Sequence, residues 1–136
     1  PDKRSASRMI FGIGTDVVQV DRIARSVERF GERFAGRILM PQELEIYALQ
    51  KRKIRFLAMR FAAKEAVVKA MGTGFAHGMW VRDVGVIPDR RGKPEIVYSS
   101  RGRKLCTEMG IGDGFVTLSD EAGLVVAVAI LLRKGS

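Results

Sequence analysis

Residues 54–74, IRFLAMRFAAKEAVVKAMGTG, constrain this chain more than any other stretch. Ala, Leu, Met, Lys, Arg and Glu dominate it, all strong helix formers. Gly72 and Gly74 supply the stop, because glycine tolerates the left-handed backbone that ends a helix. At about 100° per residue, Ile54, Leu57, Ala58, Phe61 and Val68 share one face. Ala62, Ala63, Ala66 and Ala70 point elsewhere and are apolar too. A helix apolar around most of its circumference is covered on most of it. Arg60 and Lys64 are expected to form the one narrow polar stripe. The rest of the chain must therefore wrap this helix.

Glu65 is not on that stripe. Helical geometry projects it into the Phe61/Val68 face, with Lys69 one turn later on the same side. A lone carboxylate there costs on the order of several kcal/mol or takes up a proton. Two readings offset its charge. One is an i,i+4 Glu–Lys pair at the edge of the core. The other is that Glu65 holds a metal ion and Lys69 meets an anion beside it. The helix alone does not choose between them.

A chain of 136 residues, 46% of them apolar, makes one domain with a proper core. No apolar run reaches transmembrane length, and no secretory apolar segment opens the chain, so the expected address is the cytoplasm. Residues 1–8 (PDKRSASR) are polar and read as a tag remnant ahead of Met9. Residues 9–133 read as the domain and 134–136 as a tail. The single cysteine, Cys106, excludes an internal disulfide and reads as a small buried hydrophobe. With one histidine, His77, a zinc site of usual composition is excluded. A metal here would have oxygen ligands, which selects a hard ion such as Mg²⁺. The net charge of +9 implies an acidic partner without choosing its class.

The first strand is expected over residues 9–18, MIFGIGTDVV, with Gly12 and Gly14 allowing close backbone approach. Asp16 lies near its end, where a turn or capping role competes with a functional one. Residues 20–38 are helical, with Ile23, Val27, Phe30, Phe34 and Ile38 as the buried stripe and Gly31 as a possible break. Arg22, Arg25, Arg29 and Arg33 occupy another face, either solvated or suited to carboxylates of an acidic partner. Pro41 opens a short helix to residue 50. Residues 84–87 and 95–98 read as a hairpin around the basic turn DRRGKP. Ser99 or Ser100 caps a helix that Gly110 ends. Two closing strands follow, and the run LVVAVAILL is continuous enough to predict a central strand covered on both faces. The class is α+β, a small antiparallel sheet packed on a long central helix.

Asp16 and Glu65 are the two acids that stand out. Mg²⁺ typically takes one or two protein carboxylates, with waters and phosphate oxygens as its other ligands. GIGTD (12–16), RFAAKEAVVKAMGTG (60–74) and GKP (92–94), in this order and spacing, resemble the bacterial holo-acyl-carrier-protein synthases. These are the small, single-domain type of 4′-phosphopantetheinyl transferase, and the resemblance spans about residues 9–133.

The resemblance implies transfer of phosphopantetheine from coenzyme A to a serine of apo acyl carrier protein, as in fatty acid biosynthesis. It implies Mg²⁺ on Asp16 and Glu65, and Lys69 beside the coenzyme A phosphates. Arg60 and the Gly92-Lys93-Pro94 turn would line the coenzyme cleft. It implies a homotrimer with sites between protomers. The acidic carrier would dock on Arg22 and, in a looser match, Arg29. Where some members carry Ser-His, this chain has Ser119-Asp120, and no catalytic role passes to Asp120. No nucleic acid or membrane partner is implied. The competing classes are a basic nucleic-acid-binding module, for which no recognition-helix or aromatic RNA-binding signature is present, and a non-catalytic nucleotide-binding protein.

Overall fold

The computed structural model describes residues 9–135. The expected tag remnant at residues 1–8 lies outside them. β1 (Ile10–Gln19) leads into α1 (Val20–Phe30), α2 (Arg33–Ile38), α3 (Pro41–Ala48) and the long α4 (Lys53–Met71). A 3₁₀ turn (Val81–Asp83), β2 (Val84–Pro88), β3 (Pro94–Tyr98), α5 (Ser100–Met109), β4 (Ile111–Glu121) and β5 (Leu124–Arg133) complete the chain. The architecture is α+β. Glycine sets the boundaries where the sequence places it. Gly31 separates α1 from α2 at φ 67°, Gly72 ends α4 at φ 83° and Gly110 ends α5 at φ 80°. Ser99 caps α5 by accepting the Gly102 N–H at 3.0 Å.

β1, β5 and β4 form an antiparallel sheet in that order, with β5 in the middle. β2 and β3 form a separate two-stranded hairpin. Side chains alternate across β5: Val125, Ala127, Ala129 and Leu131 are fully buried. α4 packs on the inner face, and small residues set its distance. A Cβ on Gly12 would lie 1.9 Å from the Ala70 carbonyl oxygen, and one on Gly14 would lie 2.0 Å from that of Ala66. Backbone meets backbone here, which only glycine permits. Ala62, Ala63, Ala66, Val67 and Val68 are wholly buried, as a helix apolar around its circumference requires.

Four expectations are corrected. β5 is covered on one face only, because among the described residues no element crosses its other side. There Leu124 and Val126 are 41% and 38% exposed, beside Ile13 and Val17 of β1 and Phe115 of β4. The apolar run reflects an outward face as greasy as the inward one. Arg60 and Lys64 are no solvated stripe, since Lys64 is completely buried and Arg60 nearly so. The reason is Glu43 on α3, a fully buried carboxylate within 2.6 Å of Lys64 Nζ. Phe30 leaves the predicted buried stripe and is largely exposed, because α1 ends there and the chain turns at Gly31. β4 is longer than the apolar core of its sequence suggests, since pairing with β5 extends it from Ile111 to Glu121.

Candidate active site

Asp16 is held in mid-strand, paired in register with Ala127. It shares the helix-facing side of β1 with Gly12, Gly14 and Val18. A capping role is excluded, because Gln19 occupies the N-cap of α1. The glycines draw α4 onto this side of β1, so Asp16 comes up against the helix turn that carries Glu65 and Lys69. Lys69 Nζ donates to Asp16 Oδ1 at 3.0 Å and to the Thr15 carbonyl at 3.1 Å. The lysine thus bridges to the strand, and the i,i+4 pairing with Glu65 is not its principal contact. Val68 is buried while Glu65 is only half-buried, so the carboxylate stands at the rim of the apolar face and not within it.

Burial pushes the Glu65 carboxyl above its ordinary range, and the nearby Asp16 charge pushes it further. Lys69 and Arg22 pull against both. Lys69 of α4 contacts Asp16 of β1 directly, and the charges of Asp16, Lys69 and Arg22 of α1 all act on Glu65. Two carboxylates that repel each other at a half-buried rim form an oxygen donor set a hard divalent cation would relieve. Among the described residues no cluster of three or more His, Cys, Asp or Glu side chains suited to a metal exists. Two protein carboxylates match the sparse protein ligation of Mg²⁺, so the residues present fit that ion.

The remaining candidates gather elsewhere. Arg60 precedes Glu65 by five positions, about 140° around the helix. It lines a cavity of about 260 Å³ with Gly92, Pro94, Thr117 and Leu118. Lys93 lines an adjoining groove of about 300 Å³ with Pro94, Tyr98 and Arg103, and its Nζ lies 5.5 Å from the Phe115 ring centroid. Within one chain the structure does not bring Arg60 and the Gly92-Lys93-Pro94 turn to the carboxylates. Arg22 and Arg29 are both exposed on α1. Arg29 lies 5.1 Å over the Phe30 ring.

Two features escape the sequence. Asp120 receives a two-pronged contact from Arg55, at 2.5 Å from Nε and 2.9 Å from Nη2, which holds its carboxyl below the usual range. Glu43 is the second. A Glu three residues after a helix-capping position is an ordinary surface feature, and nothing local signals that three elements close over it.

These geometries belong with a defined class. The 4′-phosphopantetheinyl transferase superfamily profile matches residues 12–129. The holo-[acyl-carrier-protein] synthase of Halorhodospira halophila is 46% identical over 91% of this chain and 98% of its own. The crystal structure of the Neisseria meningitidis holo-[acyl-carrier-protein] synthase superposes with a TM-score of 0.87 at 43% identity, covering 93% of this chain and all of that one. The Helicobacter pylori holo-[acyl-carrier-protein] synthase, solved in complex with coenzyme A, gives 0.77 at 29% identity, covering 88% and 98%. The chain belongs to the holo-[acyl-carrier-protein] synthase family. Among the described residues no helix is long and apolar enough to cross a membrane.

Proposed function

We infer that the chain transfers 4′-phosphopantetheine from coenzyme A to a serine of apo acyl carrier protein, leaving adenosine 3′,5′-bisphosphate. The convergence of Asp16, Glu65 and Lys69 across the β1–α4 contact carries the assignment of the reacting centre. The serine oxygen forms a bond to the phosphorus that carries the pantetheine arm. The bond from that phosphorus to the adenosine bisphosphate oxygen breaks. Such a transfer asks the protein for positioning and charge stabilisation more than for covalent chemistry.

Asp16 and Glu65 would hold Mg²⁺, which when bound supplies charge neutralisation at the pyrophosphate. Lys69, fixed by Thr15 and Asp16, offers a point charge to a phosphate oxygen. Among this chain's own groups, Glu65, a half-buried carboxylate at this rim, would take the serine proton. Arg60 and the Gly92-Lys93-Pro94 turn would bind the coenzyme. They lie on another side of α4 from the carboxylates, so a complete site needs two protomers. The outer sheet face, with Ile13, Val17, Phe115 and Val126 exposed, supplies apolar surface for a homotrimer. Arg22, whose charge acts on Glu65, and Arg29 would receive the acidic carrier protein. The domain is taken as residues 9–133.

The test is an incubation with coenzyme A, apo acyl carrier protein and Mg²⁺, read by intact mass of the carrier. A gain of one phosphopantetheine that EDTA abolishes is expected. A gain undiminished by EDTA would refute the metal assignment, and no gain with several carriers would refute the assigned reaction.

A further inference from the structure

Glu43 is completely buried, and it ties its own helix α3 to two other elements, α4 and β2. Its Oε1 accepts the Met40 N–H at 2.9 Å at the start of α3 and lies 2.6 Å from Lys64 Nζ of α4. Its Oε2 accepts the Val86 N–H of β2 at 3.0 Å. The same lysine donates to the carbonyls of Val81 and Val84, at 3.2 and 2.5 Å. The hairpin β2–β3 forms no ladder with the main sheet, so these contacts are its polar attachment to α4. Gly85 makes room for them, since a Cβ there would meet Met40 Sδ at 2.7 Å and Glu43 Cδ at 2.9 Å.

Arg60 stands one helical turn before Lys64. Its Nε is buried without a hydrogen-bond partner and lies 3.9 Å from Glu43 Oε2, beyond hydrogen-bond reach. Its guanidinium rests 4.4 Å over the Phe56 ring and lines the cavity shared with Gly92 and Pro94. Lys64 and Arg60 bring two positive charges against one carboxylate, and Arg60, whose Nε has no hydrogen-bond partner, is the one that lines the cavity. One wall of that cavity is Arg60, and the other is the turn of the hairpin that Glu43 anchors through Val86.

We propose that Glu43 is a positioning residue for coenzyme A: one buried carboxylate sets the guanidinium of Arg60 and the Gly92–Pro94 turn at a fixed separation around an anionic part of the coenzyme. This rests on the assignment of Arg60 and the turn to the coenzyme cleft. Every hydrogen-bonding neighbour of Glu43 is a donor, two backbone N–H groups and an ammonium. A glutamine cannot replace it without aiming its own NH₂ at a donor, so one tie must break.

The experiment is a double-mutant cycle on the full chain, reading the Kd for coenzyme A by calorimetry on folded protein. Arg60→Ala is expected to weaken binding at least tenfold. Glu43→Gln is expected to weaken it about tenfold in the parent and less than twofold in the Arg60→Ala background. If Glu43→Gln does not fold, Glu43→Asp, which keeps the charge but is too short to reach all three donors, takes its place in the cycle. A glutamate that served stability alone would lower Tm and leave the Kd of the folded protein unchanged, which would overturn the proposal. Equal losses in both backgrounds would also overturn it. Unchanged affinity in Arg60→Ala would overturn the placement of Arg60 at the coenzyme, and the role of Glu43 with it.

Discussion

Replacing Gly14 by alanine tests the link between the sheet–helix contact and the reacting centre. The added methyl would sit 2.0 Å from the Ala66 carbonyl oxygen and 2.6 Å from the Ala70 nitrogen. Both are backbone atoms of α4, so no side chain can swing away. Restoring an ordinary contact requires strand and helix to part by about 1.4 Å locally. Overpacking of this kind costs about 3 kcal/mol, the upper end of the usual range, because rigid elements must move. For a domain of this size that corresponds to a Tm lowered by roughly 10 °C. The same displacement acts two residues from Asp16 and separates it from Glu65 and Lys69. A misplacement near 1 Å costs about a hundredfold in rate. Thermal unfolding and the initial rate of carrier modification, measured on the same folded preparation with Mg²⁺ saturating, check both parts. A variant with parental Tm would refute the tight packing. A destabilised variant whose folded fraction turned over normally would refute the dependence of the site on this contact.

Glu65→Gln is expected to abolish transfer while the fold persists. In EDTA it should also raise Tm at neutral pH. The Glu65 carboxyl is raised by folding, so the native state prefers it protonated, and its stability contribution declines as pH rises from the ordinary carboxylate range through the raised value. The advantage of glutamine should therefore vanish in acid; an advantage that grew in acid would refute the sign. Arg22→Glu should raise KM for the carrier protein at least tenfold more than KM for coenzyme A, and equal effects would reduce the arginine to solvated surface. Val126→Arg, on the uncovered sheet face, should convert a trimer to monomers in light scattering and suppress transfer. A parent protein already monomeric at assay concentration would refute the assembly.

Much of the fold was legible in the sequence because it rests on local rules. Helix formers, Gly72 and Gly110 define α4 and α5 without knowledge of their neighbours. The basic turn between two short β-rich runs defines the hairpin. Helical spacing singled out Glu65 but set it too deep, since the structure places it at the rim of the apolar face. Its partner was less legible, because no spacing rule connects residues 16 and 65. The family resemblance paired them, and the register of β1 under α4 supplies the physical reason.

Other features belong to the tertiary structure alone. The side chains of Arg60 and Lys64 look like a solvated stripe in any helical projection, and only the arrival of Glu43 from α3 makes their burial tolerable. The continuous apolar run of β5 states that both faces are greasy but not that one lacks a cover among the described residues. A sequence fixes each residue's chemistry and its place on its own element. Which charges share a dielectric, and which apolar face meets water, depends on the elements that pack around them, and those come from distant parts of the chain.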